Sequence, residues 1–90
     1  MPRYFFHLHH GVRALPDPEG SECANADAAV AQGVRTVLEM LADDVRQGRV
    51  DLGWRMTIED ASGRAVKAFT FAEIFGGAHL TPSPGPPLRQ

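Results

Sequence analysis

Aromatic, apolar and polar residues alternate over residues 3–10, the first strand-like segment of the chain. In an extended strand, successive side chains point to opposite faces. One face carries large, mostly hydrophobic side chains, Tyr4, Phe6 and Leu8. The opposite face carries Arg3, Phe5, His7 and His9. The pattern predicts a strand from Arg3 to His9 or His10, ended by Gly11, whose second face is exposed and carries imidazoles. His10 is expected in the turn.

The next segment predicts a turn between two short extended pieces. Residues 12–15 are expected to continue the sheet, and residues 21–24 to be short and extended. Between them, Asp17, Pro18 and Gly20 occupy the positions that a type I turn favours. Asp17 can accept from a backbone N–H, Pro18 fixes its own φ, and Gly20 tolerates a positive φ.

Helical spacing follows in the middle of the chain. The apolar positions form one stripe, Ala26, Val30, Val34, Val37, Leu38, Leu41 and Val45. Asn25 is a good N-cap, and Gly48 suits the residue after the helix. Gly33 lies inside the helix at a cost of about 1 kcal/mol relative to alanine. It indicates either close packing against the sheet or a neutral substitution.

The C-terminal part of the domain reads as a hairpin followed by a helical turn. Trp54, Met56 and Ile58 alternate with Arg55, Thr57 and Glu59. This is the pattern of a half-buried strand, with Trp54 on its core side. A turn over residues 60–63 and a second strand over residues 64–71 follow. Thr70 is then expected to cap a helical turn whose large residues, Phe71, Ile74 and Phe75, fold back on the core.

These elements predict an α+β fold in the order β(β)αββ. A small antiparallel or mixed sheet of three to four strands has one long helix packed on one face. Residues 1–75 form a single domain, and residues 76–90, rich in Pro and Gly, a disordered tail. The uncovered face carries Phe5, His7, His9 and Arg55, which we predict to be an interaction surface. Since a sheet covered on one side leaves edges and exposed surface, we expect a homodimer.

Composition and charge argue against two classes of protein, nucleic-acid-binding proteins and membrane proteins. Nine basic and eleven acidic residues among 90 give a net charge of −2, and no basic cluster suggests a nucleic-acid partner. Cys23 is the only cysteine, which fits a reducing compartment. No apolar segment reaches the roughly 20 residues of a membrane span, and the N-terminus lacks the features of a signal peptide. We expect a cytoplasmic protein without a membrane partner.

The histidines are the main candidates for chemistry. His7 and His9 share a strand face and lie close enough to bind one metal ion. Asp17, Glu19, Glu59 or His79 could supply a third ligand, although none has a diagnostic spacing to the pair. The alternative interpretation, which we prefer, is that both are surface histidines.

Other reactive residues favour structural roles. Asp17 and Glu19 could form an acid–base pair, but a Pro-Gly turn normally leaves its carboxylates in water. Cys23 could act as a nucleophile only beside a histidine, and a buried thiol is the simpler interpretation. No phosphate-binding loop, CxxC, HExxH or GxSxG motif occurs. We therefore predict neither an enzyme nor a cofactor.

Three segments in order resemble a family of short bacterial proteins described only as a domain of unknown function. They are the opening Pro2-Arg3-Tyr4-Phe5-Phe6-His7, the turn Asp17-Pro18-Glu19-Gly20, and Trp54-Arg55 leading to Glu59-Asp60 and Ser62-Gly63-Arg64. The resemblance covers about residues 2–75 and implies a fold without an activity. Because the family commonly has Arg-Asp or a similar pair where this chain has His9-His10, it does not support a three-histidine site.

A looser likeness is to HicB-type antitoxin domains, which also lay an Ala-rich helix on a small sheet after an opening strand. It is an analogy of fold, and the chain lacks room for their separate DNA-binding element. Our preferred hypothesis is a non-catalytic protein-interaction or regulatory module with an unidentified partner. The alternatives are a metal- or small-ligand-binding protein that uses His7 and His9, and an antitoxin-like protein that binds a partner.

Overall fold

The computed structural model describes residues 1–76. Seven elements follow in chain order, β1 (Arg3–His10), β2 (Arg13–Leu15), β3 (Ser21–Glu22), α1 (Ala26–Arg46), β4 (Arg55–Asp60), β5 (Ala65–Thr70) and α2 (Phe71–Phe75). Apart from Gly76, the predicted tail lies outside the described residues, and so does His79. Neither described helix has the length and apolar character that crossing a membrane requires.

The strands form one antiparallel sheet in the order β2-β1-β4-β5, with β3 also paired to β1. The predicted α+β class is therefore confirmed. The sheet has five strands rather than three or four because the short extended segment after the turn, Ser21–Glu22, pairs with Arg3 and Tyr4. Pairing to β1 on that side is interrupted between β3 and β2, and residues 16–20 cross the gap.

Helix α1 packs on one face of the sheet, as predicted. The Asn25 side chain accepts a hydrogen bond from the Ala28 N–H, and Gly48 adopts a positive φ of 87° after the C-terminus. The buried positions of α1 form one stripe, Ala29, Gly33, Val37 and Leu41. They pack in a core with Tyr4, Cys23, Met56, Ile58, Phe69, Phe71 and Ile74. Of the two interpretations of Gly33, the structure supports close packing, since a Cβ there would lie 2.9 Å from Ile58 Cδ1.

Helix α2 closes one end of the core. Thr70 Oγ1 accepts from the Glu73 N–H, and Glu73 Oε1 accepts from the Thr70 N–H, so each end of this capping box is satisfied. Phe71 and Ile74 are buried, but Phe75 is 54% exposed. The prediction was therefore wrong for Phe75. A single helical turn presents a narrow face to the core, and Phe71 and Ile74 fill it.

Candidate functional site

The face of the sheet opposite α1 is not covered by any described element, and we call it the open face. Its central residues come in three cross-strand pairs between β1 and β4, Phe5 with Glu59, His7 with Thr57, and His9 with Arg55. Strand β5 adds Ala68 beside Thr57 and Thr70 beside Arg55. The four residues predicted to share an exposed face, Phe5, His7, His9 and Arg55, are thus brought together by the register.

His7 lies at the centre of the open face, and both of its ring nitrogens are engaged. Nδ1 accepts a hydrogen bond of 3.0 Å from the backbone N–H of Asp17. That nitrogen therefore carries no proton, which places the ring proton on Nε2. Nε2 lies 3.3 Å from Glu59 Oε1 and donates to it. These two contacts hold the imidazole between the 16–20 segment and β4.

Asp17 is held by the backbone at the gap in the sheet edge. Its Oδ2 accepts from the Phe6 N–H of β1, and Oδ1 accepts from the N–H groups of Gly20 and Glu19. Partial burial raises the pKa of Asp17, but these backbone hydrogen bonds from Gly20, Phe6 and Glu19 together hold it below its ordinary value. The carboxylate thus replaces a missing strand partner, which supports the structural role predicted for it. The Glu19 side chain is exposed and has no partner within residues 1–76.

A cavity of about 340 Å³ lies at one corner of the open face. It is lined by His9, Gly11, Leu52, Gly53, Trp54, Arg55 and Thr70. No carboxylate is among these residues. Within residues 1–76, neither the His9 ring nor the Arg55 guanidinium has a hydrogen-bond or ion-pair partner. The corner therefore combines an unpaired positive charge with a free imidazole and a hydroxyl, which suits an incoming anion.

Trp54 also lines a second cavity of about 550 Å³, whose lining mixes apolar side chains with the charged Asp44, Arg49 and Asp51. The indole packs against the core, and its exposed part is held by His10 and Arg13. His10 meets the ring edge-on at a centroid distance of 4.9 Å, and the Arg13 guanidinium lies 5.4 Å above it. The prediction of a core position for Trp54 thus describes only part of its surroundings.

Asp51 completes the structure around His10. Its Oδ1 accepts from the Gly53 N–H at 2.9 Å and from His10 Nε2 at 3.1 Å. The Gly53 N–H, followed by the His10 hydrogen bond, lowers the pKa of Asp51 below its usual value. His10 was expected in the turn, but it is the last residue of β1, and its ring contacts residues 51–54.

The predicted metal ligands are placed as follows. His7 and His9 share a face, but His7 is already hydrogen-bonded at both nitrogens. Asp17 and Glu59 each contact His7, although Asp17 does so through its backbone. Among residues 1–76, no three His, Cys, Asp or Glu side chains are grouped as a metal site would require. Cys23 is buried, and its Sγ lies 3.6 Å from Gln32 Oε1.

A family model described as a domain of unknown function (DUF6894) matches residues 3–72. The chain belongs to this family. The DUF6894 match spans all five strands and α1 and ends inside α2, so the open face and the 16–20 segment lie within it. No curated protein and no solved structure matches the chain. The likeness to HicB-type antitoxin domains stays a prediction.

Sequence reasoning missed the contributions of two residues, Thr70 and Asp17, to the open face and its surroundings. Thr70 was expected only as a helix cap, yet it also lines the corner cavity beside Arg55. Asp17 was expected to cap its own turn, yet it also binds the Phe6 N–H eleven residues away. The alternation of β4 and β5 could have placed Thr70 on the open face. No local pattern indicates the bond to Phe6.

Proposed function

We propose that this protein is a non-catalytic protein-interaction module that forms a homodimer through its open face. The proposal rests on the observation that a helix covers only one face of the sheet. Helix α1 buries one face, while the other presents two partly buried rings, Phe5 and His7, stacked nearly parallel with centroids 6.4 Å apart. Aromatic and Arg side chains on a flat exposed surface are typical of interface centres.

The edges of the sheet are poorly suited to strand addition, which favours association through the open face. On one side, β2 has only three residues. On the other side, the pairing of β5 with β4 is irregular between Ile58 and Glu59, and β5 carries exposed Lys67 near its middle. Short strands, bulges and edge lysines are the features by which natural sheets resist pairing with other chains. Association is therefore better supported at the face.

The bonding of His7 and Asp17 supports a non-catalytic role for these two residues. A general base needs a free lone pair within reach of substrate. His7 has none, since Nδ1 accepts from Asp17 and Nε2–H donates to Glu59. The carboxylate of Asp17 is occupied by three backbone donors. The buried single cysteine, Cys23, fits action in a reducing compartment such as the cytoplasm.

A metal role for His7 and His9 would need rearrangement. To offer a nitrogen to a metal ion, His7 must give up either its bond from Asp17 or its bond to Glu59. His9 alone is free. Elemental analysis of protein purified without chelator tests this alternative, and a stoichiometric metal lost in the His7→Ala variant would favour it over our proposal.

Sedimentation velocity on a substituted open face tests the proposed function. Thr57 is the small residue at the centre of that face, and Thr57→Arg would oppose two charges across a symmetric interface. We expect a wild-type dimer at tens of micromolar, a Thr57→Arg monomer, and an unchanged dimer for Ala31→Arg on exposed helix surface. A monomeric wild type, or a dimer that survives Thr57→Arg, would overturn the proposal.

A further inference from the structure

We infer that the corner cavity of the open face receives the Glu59 carboxylate of a second copy, which pairs there with Arg55. The inference rests on the proposed homodimer and names the contact that holds it together. It also assigns the orientation of the two copies.

Arg55 lacks a counter-charge in its own chain. The guanidinium is exposed and unpaired within residues 1–76, and the cavity beside it contains no acid. His9 and Thr70 flank Arg55 on the neighbouring strands. A carboxylate entering this corner would therefore meet a guanidinium, a ring nitrogen and a hydroxyl. Charge-assisted hydrogen bonds of this kind are stronger than neutral ones.

Glu59 can supply that carboxylate. Its side chain is 34% exposed, and only Oε1 is engaged, by His7. Oε2 has no partner within residues 1–76. The bond to His7 fixes the carboxylate on the open face, so little side-chain entropy is lost when Oε2 meets a second chain.

The spacing of the two charges makes the open face self-complementary. Arg55 and Glu59 lie on the same face of β4, two residues on either side of Thr57. A second copy turned by half a turn, about an axis that crosses the strands over Thr57, places each Arg55 opposite the partner's Glu59. The two ion pairs are then about 14 Å apart, from four residues at about 3.4 Å each. This is the isologous contact that a two-fold dimer requires.

The residues near the axis are compatible with this orientation. Thr57 and Ala68 are small, which permits the approach of about 10 Å at which sheets pack face to face. His7 lies beside Thr57 and would face its own copy across the axis. The same half turn sets Phe5 against the partner's His9, an aromatic contact at the rim of each ion pair.

Charge reversal tests the pairing, with dimer dissociation measured by sedimentation or native mass spectrometry. Arg55→Glu and Glu59→Arg should each weaken the dimer at least tenfold, because two repulsive pairs replace two attractive ones. The double variant Arg55→Glu/Glu59→Arg should regain the dimer. Glu59→Gln keeps an acceptor for His7 and should weaken the dimer by less.

Mixing gives the decisive result. The Arg55→Glu chain carries two acids at these positions, and the Glu59→Arg chain carries two arginines. Each should dimerise at least tenfold more weakly alone and should form a heterodimer with the other. Either variant mixed with wild type keeps one attractive and one repulsive pair and should bind more weakly than that heterodimer. Thermal unfolding of each variant confirms that it is folded, and Arg35→Glu on α1 is the matched control.

The outcomes separate this inference from the proposed function. A dimer that is lost in Thr57→Arg but unaffected by charge reversal overturns the Arg55–Glu59 pairing and leaves the open-face dimer. A wild type that stays monomeric overturns both. If millimolar acetate changes the Trp54 fluorescence of the monomer and Arg55→Gln abolishes that change, the cavity serves a free carboxylate and the pairing inference fails.

Discussion

Asp17 shows how much one side chain can contribute when it fills a gap in a sheet. Its carboxylate accepts from Phe6, Glu19 and Gly20, and its backbone N–H donates to His7. An unsatisfied, partly buried N–H costs about 1–3 kcal/mol. Local geometry thus links the turn to β1 and, through His7, to the open face.

We expect Asp17→Ala to lower the free energy of unfolding by about 2 kcal/mol, since the Phe6 N–H loses its acceptor. Asp17→Asn keeps one carbonyl oxygen and should lose less. Urea unfolding followed by the fluorescence of Trp54, the single tryptophan, measures both. Glu19→Ala is the control and should change stability by less than about 0.5 kcal/mol. Equal stability of Asp17→Ala and Glu19→Ala would contradict the role of the carboxylate.

The pH dependence of this contribution has a definite sign. Because the folded-state pKa of Asp17 lies below its ordinary value of 3.8, folding favours the ionised form. The stabilisation is complete above the unfolded-state pKa and is lost as the pH falls through the folded-state pKa. The difference in unfolding free energy between wild type and Asp17→Asn should therefore be constant above about pH 5 and shrink below about pH 4. A difference that grows on acidification would contradict this reasoning.

At the scale of elements, Gly33 sets the distance between α1 and the sheet. A Cβ there would lie 2.9 Å from Ile58 Cδ1 and 3.1 Å from Met56 Sδ, both in the buried core. Alanine would gain about 1 kcal/mol of helix propensity, but overpacking a core costs about 1–3 kcal/mol. We expect Gly33→Ala to be destabilising by about 1 kcal/mol in urea unfolding.

The Ile58→Val background isolates the cause, because it removes the nearest atom. There, Gly33→Ala should become neutral or stabilising relative to Ile58→Val alone. If Gly33→Ala stabilises the wild type, the helix can move away from the sheet without loss and the glycine is a neutral substitution.

The elements that sequence could predict are those with their own period or cap. Alternation over residues 3–10 defined β1, and the apolar stripe with Asn25 defined α1, because both signals are local. The pairing of β3 with β1 and the irregularity at Ile58 and Glu59 depend on contacts between distant segments, and no local pattern encodes them. Phe75 was misplaced for the same reason, since its exposure depends on how α2 docks.

At the scale of the whole molecule, the candidate site also combines features that local patterns predict with features that depend on contacts between distant segments. Strand parity was enough to place Phe5, His7 and His9 on one face. The corner cavity needs the register of three strands together with residues 52–54, so Thr70 and Leu52 could not be assigned to it in advance. The engagement of both His7 nitrogens needs the 16–20 segment folded back on β1, so strand parity could not predict it.

The whole sheet must also avoid unlimited association, and Lys67 is the residue best placed for this. It is the only lysine of the chain and is exposed near the middle of the β5 edge. Its neighbours in β5 are mostly small or apolar, so Lys67→Val would leave an uncharged edge strand. We expect this variant to form particles larger than a dimer at high concentration, measured by light scattering, because charge at an edge opposes strand addition.

Arg35→Val on α1 is the matched control, since it removes one exposed positive charge and adds the same apolar side chain away from any edge. It should keep the wild-type size, and Lys67→Arg should do the same at the edge itself. Equal growth in both valine variants would mean that added apolar surface, rather than the edge, drives association. If Lys67→Val keeps the wild-type size, the short β2 and the irregular pairing of β5 are sufficient to protect the sheet edges without the lysine.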